Sequence, residues 1–381
     1  MRELKGEDGK TLKGISDKIG FEQLDLILEN SYRISDVREL NKKSLMDVVS
    51  EFREKTDANT ESLAIGKEIR EHIHKLGQEG KIGTDVAKLW MHPELIAPPP
   101  INNGAAAKIY ETVEMRNGVR ANDEQQAIVQ NAILKLAKRY PRRDVDVQSS
   151  FGTNPVINEH SILGQREGFV HFNSSKRGNG VDLRCYISLN PEKRDIALKA
   201  WHDSLKESEV KDDLYYKVGM TDEHIDDIVI YKSDVVSDDK FKRILQIFSE
   251  KSLDEDLVDK NNTLPTGRKI ADEIAIAPET KYVNSYLKSM GENKYSYNQF
   301  VARMLELSAC VASQRMENHK MRYAKTSDGV KSGKIHSTKS YDFRHEMRDV
   351  FREFMMLSKI NPDTMLPDEY GDELPSWAQI K

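Results

Sequence analysis

Hydrophobic residues recur every three or four positions through much of the first 140 residues, which is the spacing of amphipathic helices. Gly77 and Gly80 follow one such run as stop signals, and Pro141 ends the last run. Residues 1–140 are therefore predicted to form a helical N-terminal region. The runs are FEQLDLILENSYRI (21–34), KSLMDVVSEFREK (43–55), ESLAIGKEIREHIHKLGQEG (61–80) and NDEQQAIVQNAILKLAKRY (122–140).

The pattern changes after Pro141, where short β-prone runs alternate with helical ones. We predict an α+β domain over residues 141–360, in which a twisted antiparallel or mixed sheet is flanked by helices. The turn SSKRGNG (174–180) contains an Asn-Gly pair, which predicts that the strands on either side of it are antiparallel neighbours. The acidic, proline-broken segment 361–381 is predicted to be a weakly ordered tail. The β-prone runs are REGFVHFNSS (166–175), VDLRCYISLN (181–190), DDLYYKVGM (212–220) and DDIVIYKSD (226–234).

Composition narrows the class of protein. The chain has 381 residues, of which 38% are hydrophobic, which is enough for two or three domains with buried cores. No apolar run approaches the ~20 residues of a membrane span, and the first residues lack the apolar segment of a secretory signal. Cys185 and Cys310 provide neither a disulfide framework nor a metal cluster. The net charge of -5 gives no nucleic-acid signature. We expect no metal, no cofactor, and neither a nucleic-acid nor a membrane partner.

The run LRCYISL (183–189) carries candidate chemistry. Side chains alternate between the two faces of a strand, so its odd-numbered apolar residues share one face and Arg184, Tyr186 and Ser188 share the other. A solvated sheet face is the default interpretation of such a polar stripe. Neighbouring β-prone runs offer similar chemistry. If those strands are adjacent, the polar groups form a cluster that can bind an anion and transfer a proton. The additional residues are His171, Lys217, Tyr231 and Lys232.

Each additional candidate also has an ordinary interpretation. His171 can be a hydrogen-bonded structural histidine, and Lys217 can be a solvated lysine at a strand end. Arg268 follows a Pro-Thr-Gly turn whose backbone N–H groups suit an anion, although a surface arginine is the default. We take Arg184, Arg268 and His171 as candidate substrate-binding residues.

Residues from about 168 to 280 resemble the HopA-type effectors, which plant-pathogenic bacteria inject into host cells by type III secretion. The resemblance depends on the order and spacing of several runs. It implies a virulence protein that acts in the host-cell cytoplasm, with the bacterial cytoplasm as the other location. It also implies a secretion chaperone, which we expect to engage residues 1–60. The matching runs are GFVHFNSS, LRCYISLNPEKRDIAL, YYKVG, DDIVIYKSD and IADEIAIAPE.

The HopA-type family is in turn similar to the phosphothreonine lyases of enteric pathogens and to the lyase domains of lanthipeptide synthetases. Those enzymes eliminate phosphate from phosphothreonine or phosphoserine without a metal. A lysine removes the α-proton, and a Lys-x-His pair stabilises the enolate and protonates the leaving phosphate. On the matching positions Lys217 corresponds to the base and Tyr231 to a tyrosine of the lyase site. Arg184 and Tyr186 stand where the lyases have Lys-x-His.

This substitution changes the expected chemistry. An unperturbed tyrosine is a weaker acid than histidine by about 3.5 pKa units, or roughly 5 kcal/mol of proton-transfer driving force. Only part of that difference reaches the transition state, and a phosphate dianion leaves readily without a strong acid. Elimination is therefore expected to be slower rather than abolished. Arg184 keeps the positive charge and adds a fork of donors that suits phosphate.

Three hypotheses for function follow. The first is a type III effector that binds a phosphorylated host protein or peptide and eliminates its phosphate. The second is a catalytically silent effector that binds a host protein, because decay of an active site would leave such a substituted pair. The third is a peptide-modifying lyase inside the bacterium that acts with a separate kinase.

Overall fold

The protein is described by a computed structural model. It describes residues 31, 34–58, 60–98, 105–114, 124, 127–129, 131–133, 145–149, 152–154, 169–172, 183–210, 213–222, 224–260, 267–271, 274–327, 343–371 and 373–380. The chain divides into two compact units, and each unit combines two separated segments of sequence. Unit 1 is Met1–Thr112 with Thr280–Asp363, and unit 2 is Val113–Glu279 with Thr364–Lys381. The predicted regions, which divide at residues 140 and 360, are each one continuous stretch of sequence, whereas each unit of the structure combines two stretches.

Helices and strands are numbered in chain order over the described residues. The helices are α1 (Ile34–Lys42), α2 (Leu45–Asp57), α3 (Thr60–Gln78), α4 (Thr84–Trp90), α5 (Pro93–Ile96), α6 (Ala105–Glu114), α7 (Arg194–Glu207), α8 (Asp238–Glu255), α9 (Lys281–Ser289), α10 (Tyr297–Ser327) and α11 (Phe343–Leu357). The strands are β1 (Val145–Ser149), β2 (Gly152–Asn154), β3 (Phe169–Phe172), β4 (Leu183–Ile187), β5 (Tyr215–Gly219), β6 (Ile228–Lys232), β7 (Arg268–Lys269), β8 (Ile274–Pro278), β9 (Ile360–Asn361) and β10 (Leu366–Pro367). Short 3₁₀ turns are Pro191–Lys193, Asp368–Tyr370 and Ser376–Ala378. Within the described residues, no helix has the length and apolar content needed to cross a bilayer.

Unit 1 is built from helices, as the periodicity predicts for the N-terminal region. α2 begins at a capping box, in which the Ser44 hydroxyl accepts from the Asp47 amide and the Asp47 carboxylate accepts from the Ser44 amide. The core contains Trp90, whose ring centroid lies 6.3 Å from that of Tyr286 and 6.4 Å from that of Phe354. The Tyr286 hydroxyl also donates to the Trp90 carbonyl at 2.8 Å. These contacts join helices that are far apart in sequence.

Unit 2 is organised around an eight-stranded sheet with the order β2-β1-β3-β5-β6-β4-β8-β7. Every pairing between its described strands is antiparallel. The predicted α+β class is confirmed, and of the two predicted kinds of sheet the antiparallel one is correct. The predicted pairing across the turn 174–180 is wrong, because β5 and β6 lie between β3 and β4. That turn itself lies outside the described residues.

One face of this sheet, which we call the core face, packs against α7 and α8. It carries Cys185 and Ile187 of β4 together with apolar residues from β3, β5, β6 and β8. Trp201 of α7 packs edge-on against both Tyr216 of β5 and Phe248 of α8, with ring centroids 5.8 and 5.6 Å apart. The interpretation of the odd-numbered β4 residues as core is therefore confirmed by their burial.

The segment after residue 363 also contributes to this core. Leu366 and Trp377 are buried in the same hydrophobic cluster as the sheet and its helices. The Trp377 ring packs edge-on against Phe241 of α8, with centroids 4.9 Å apart. The structure thus differs from the predicted weakly ordered tail. Composition misled the prediction, because a few apolar side chains in an acidic segment are enough to anchor it.

A buried ion pair joins the ends of three central strands. Arg194, the first residue of α7, places Nε 2.8 Å from Asp227 Oδ1, and both side chains are almost fully buried. Arg194 Nη2 donates to the carbonyl of Gly219 at the end of β5, and Asp227 Oδ2 accepts from the Leu189 amide just after β4. A side chain at Gly219 would bring its Cβ within 3.2 Å of Arg194 Nη2, so this close approach favours glycine. The pair therefore connects β4, β5 and β6.

We expect Asp227→Ala to destabilise unit 2 by about 3–5 kcal/mol, because it leaves the Arg194 guanidinium buried without its counter-ion. Urea unfolding followed by tryptophan fluorescence measures the effect, since Trp201 lies in this core. Glu207→Ala is the matched control, because it removes the carboxylate of an exposed pair with Lys251 and should cost at most about 1 kcal/mol. Equal losses in the two variants would show that the buried pair is not a structural constraint.

Candidate functional site

Four candidate residues of β4, β5 and β6 share the second face of the sheet, which we call the Arg184 face. The fifth candidate on these strands, Lys232 of β6, is paired with the core residue Leu183 and therefore lies on the core-face side. Residues paired across antiparallel strands point to the same side, so strand register defines its members. In one row of the sheet Arg184 is paired with Tyr231, and Tyr231 is paired with Tyr215. In the adjacent row Tyr186 is paired with Val229, and Val229 with Lys217. Four residues predicted from distant parts of the sequence thus lie in two neighbouring rows.

The first row is a continuous stack. The Arg184 guanidinium lies over the Tyr231 ring, with its carbon 4.8 Å from the ring centroid. The Tyr231 and Tyr215 rings are stacked in turn, with centroids 4.3 Å apart and planes at 13°. On its other side Arg184 donates from Nε to the carboxylate of Glu279, which follows β8. The guanidinium is therefore fixed by a charged hydrogen bond and a cation–π contact.

In the second row, strand β6 lies between Tyr186 of β4 and Lys217 of β5. Their backbones are two strand spacings apart, or about 9.6 Å, and Val229 lies between them with no exposed surface. The Lys217 amine lies 3.5 Å from the centroid of the Phe169 ring of β3. His171 of β3 is the register partner of Lys217. Long side chains on β4 and β5 can therefore meet above Val229. In the structure the Lys217 amine instead lies against the Phe169 ring, on the β3 side.

The Arg184 face is not a solvated surface, contrary to the default interpretation of a polar stripe. Tyr186 is 4% exposed, Tyr231 is 8% exposed and the Arg184 side chain is 16% exposed. Ser188, which continues the even-numbered side of β4, is also buried, and its hydroxyl has no hydrogen-bond partner among the described residues. Buried polar groups of this kind need partners from the protein, from water or from a ligand.

Burial changes the acidity of the two phenols. Burial raises the pKa of Tyr186 well above its ordinary value, although the positive charge of Arg184 opposes the shift. Tyr231 shows the same combination, and its pKa is also raised. The Asp226 carboxylate contributes further to both increases. Both side chains are therefore neutral hydroxyl donors at physiological pH, which suits hydrogen bonding to an oxyanion better than rapid proton release.

Arg184 remains charged throughout. Burial acts to lower its pKa, but its interactions with Tyr186, Tyr231 and Glu279 act in the opposite direction, and the net pKa lies above the ordinary value. Asp226, like Ser188, is buried, and its Oδ1 has no hydrogen-bond partner within the described part of the chain. The region around Tyr186 thus combines one cation, neutral hydroxyls and a buried carboxylate.

Arg268 does not belong to this face. It is paired with Ile276, which is itself paired with Cys185, so Arg268 is on the core-face side of the edge strand β7. The next residue, Lys269, is paired with Ala275, the partner of Tyr186. Arg268, the predicted substrate contact, is therefore on the opposite side of the sheet from this site, and the next residue, Lys269, has the phase of the Arg184 face. In a strand a shift by one residue exchanges the two faces.

Two residues of the stack, Tyr215 and Glu279, are absent from the sequence-based candidates. Tyr215 is two residues before Lys217, so the period of the strand already placed both on one face. In IAIAPE the alanines at 275 and 277 share a phase with Glu279, and they face Tyr186 and Arg184 across the β4–β8 pairing. The alternation of side chains in both runs already assigned Tyr215 and Glu279 to a face. Which other residues share that face becomes clear only when the neighbouring strand is known.

Each unit also contains a cavity away from this face. The cavity of unit 2 has a volume of about 590 Å³ and lies at the beginning of β4, where Leu183, Lys232, Tyr370 and Trp377 line it. The cavity of unit 1 has a volume of about 650 Å³, and its lining includes Arg315, which forms ion pairs with Asp85 and Glu353. The lining of the unit 2 cavity includes the candidate Lys232, whereas neither lining includes Arg184, Tyr186, Lys217 or Tyr231.

Comparison with known proteins adds little about activity. No protein family and no curated protein matches the chain. The fold is similar to that of an effector protein from Pseudomonas syringae pv. tomato strain DC3000, with 11% identity, a TM-score of 0.40, and coverage of 70% of this chain and 91% of that one. A second similar structure is an effector protein from Pseudomonas syringae pv. syringae strain 61, with 11% identity, a TM-score of 0.36, and coverage of 64% and 92%. Likeness at this level assigns no activity to the chain.

We expect Tyr186→Phe to make unit 2 less sensitive to alkaline pH. The folded-state pKa of Tyr186 is raised, so its contribution to stability is fully present below the unfolded-state pKa of about 10 and is lost as the pH rises above that value. Between about pH 8 and pH 11 the variant should lose about 1 kcal/mol less unfolding free energy than the native protein. Urea unfolding at both pH values tests this, and equal losses would show that Tyr186 ionises normally in the folded state.

Proposed function

We propose that unit 2 binds a phosphorylated threonine or serine residue of a protein or peptide on the Arg184 face and removes its phosphate by β-elimination. Strand register is the observation that carries the proposal, because it brings Arg184, Tyr186, Tyr231 and Lys217 to one face. A buried guanidinium next to neutral hydroxyl donors suits an oxyanion, and an amine within reach suits proton abstraction. The similarity of residues 168–280 to HopA-type effectors supports the same chemistry.

The proposed step uses no metal and no water. Lys217 Nζ, in its neutral form, accepts the proton from Cα of the phosphorylated residue, and the electrons of that C–H bond form a Cα=Cβ double bond. The Cβ–O bond breaks, and the phosphate leaves with both electrons of that bond. Arg184 holds the phosphate through its terminal nitrogens, while Tyr186 and Tyr231 donate hydrogen bonds to developing negative charge. The products are a dehydroamino acid residue and inorganic phosphate.

The raised pKa of Tyr186 affects the rate of this step. A phenol that holds its proton tightly stabilises an enolate or a leaving phosphate by hydrogen bonding, and it transfers the proton late. The leaving dianion can depart without full protonation, so turnover is expected to be slow. Lys217 must also leave the Phe169 ring to reach the substrate.

We further propose that the protein acts as a secreted bacterial effector in the host-cell cytoplasm, with a phosphorylated host protein or peptide as its partner. The family resemblance of residues 168–280 supports this setting. A secretion chaperone is proposed to engage residues 1–60. Most of residues 1–33 lie outside the described residues.

Incubation with a phosphothreonine peptide is expected to give a product lighter by phosphoric acid, together with free phosphate, as measured by mass spectrometry. Lys217→Ala should lower the rate by a factor of about 10² or more, because it removes the base. Lys240→Ala is the matched control, since it removes an exposed lysine of α8. A product with the mass of simple hydrolysis, or equal activity of Lys217→Ala and the native protein, would contradict the proposal.

A second candidate function is a catalytically silent binding module. It is favoured by the pairing of Arg184 with Glu279, which neutralises the cation of the site, and by the absence of a strong acid at Tyr186. In this case the face recognises an acidic or phosphorylated partner without altering it.

Lys217→Ala and Tyr186→Phe distinguish the two functions. A catalytic role predicts that both variants stay folded and lose the host phenotype. A binding role predicts that the phosphopeptide is captured unchanged and that the phenotype survives in both variants. Circular dichroism of each variant is the control for folding.

A further inference from the structure

Glu279 occupies a defined position relative to Arg184, although 95 residues separate them in sequence. Its carboxylate accepts from Arg184 Nε, and both side chains are largely buried, with 14% and 16% of their surfaces exposed. The guanidinium plane is fixed on a second side by the Tyr231 ring, which is itself supported by Tyr215. A long, flexible side chain thus loses most of its freedom before any ligand binds.

We propose that Glu279 is the positioning residue of the anion site, and that it holds Arg184 so that both terminal nitrogens are presented together to one phosphate group. This inference rests on the proposed function and adds a role for a residue that the elimination step does not use. A guanidinium has five N–H donors in one plane. The Nε bond to Glu279 uses one of them, and it leaves the pair of terminal nitrogens in the fork geometry that matches two phosphate oxygens.

Glu279 contributes an acceptor and a charge, and these have opposite effects on an anion. The acceptor oxygen orients Arg184, which lowers the entropy lost when phosphate binds. The negative charge repels the phosphate and weakens its binding. Glutamine keeps an acceptor oxygen in the same position and removes the charge, whereas alanine removes both. The two substitutions therefore separate orientation from charge.

Calorimetric titration with inorganic phosphate, and with a phosphothreonine peptide, tests the inference on the full chain. Glu279→Ala should weaken phosphate binding by up to roughly tenfold, because Arg184 must then be ordered when the ligand binds. Glu279→Gln should bind at least as tightly as the native protein. Glu250→Ala removes an exposed glutamate of α8 and should have no effect. In an Arg184→Lys background Glu279→Ala should cost nothing further, because lysine lacks the Nε edge that Glu279 holds.

The outcomes separate this inference from the proposed function. If native protein and Arg184→Ala bind phosphate equally, or neither binds it, the anion site is absent and both proposals fall. If the native protein binds, Arg184→Ala does not, and Glu279→Ala matches the native protein, the role of Glu279 alone is wrong. An equal loss in Glu279→Gln and Glu279→Ala, or a further loss in the Arg184→Lys background, would also overturn it, since charge or general structure would then explain the effect.

Discussion

The buried ion pair between Arg194 and Asp227 is the constraint on which the geometry of unit 2 depends. Two charges removed from water lose several kcal/mol of solvation each, so they persist only where both are well satisfied. Here Gly219 and Leu189 supply the additional backbone partners. The pair thus determines how the ends of β4 and β5 meet the start of β6. The row that contains Tyr186, Val229 and Lys217 begins only a few residues from this junction, and its alignment follows from it.

In the proposed function, the Arg184 face is organised for binding before it is organised for catalysis. Its cation is oriented before a ligand arrives, and its two phenols are neutral donors. Such a surface suits the binding of an oxyanion without rearrangement. The proposed elimination requires one additional event, which is the movement of the Lys217 amine away from Phe169. In this proposal, recognition and turnover can be changed separately by substitution, because the residues that hold the phosphate and the base lie on different strands.

Local pattern predicted the elements and their faces, but not their neighbours. The alternation in β4 identified the core residues and the Arg184–Tyr186 side, because side-chain direction is a property of the single strand. The order of the strands depends on contacts between residues far apart in the chain, so the Asn-Gly turn after β3 suggested a pairing that the sheet does not contain. Arg268 and Glu279 illustrate the consequence. Both lie near the ends of β7 and β8, and only register distinguishes which one reaches the face.

Because unit 2 combines two separate segments of the chain, it can complete its fold only late in synthesis. Unit 2 ends its first segment at Glu279 and resumes at Thr364, and Trp377 completes its hydrophobic core. During translation the ribosome must therefore release more than 80 further residues before that core can close. Until then the apolar surface that Trp377 later covers, which includes the Phe241 ring of α8, stays exposed. The order of synthesis makes maturation of this half of the molecule a late event.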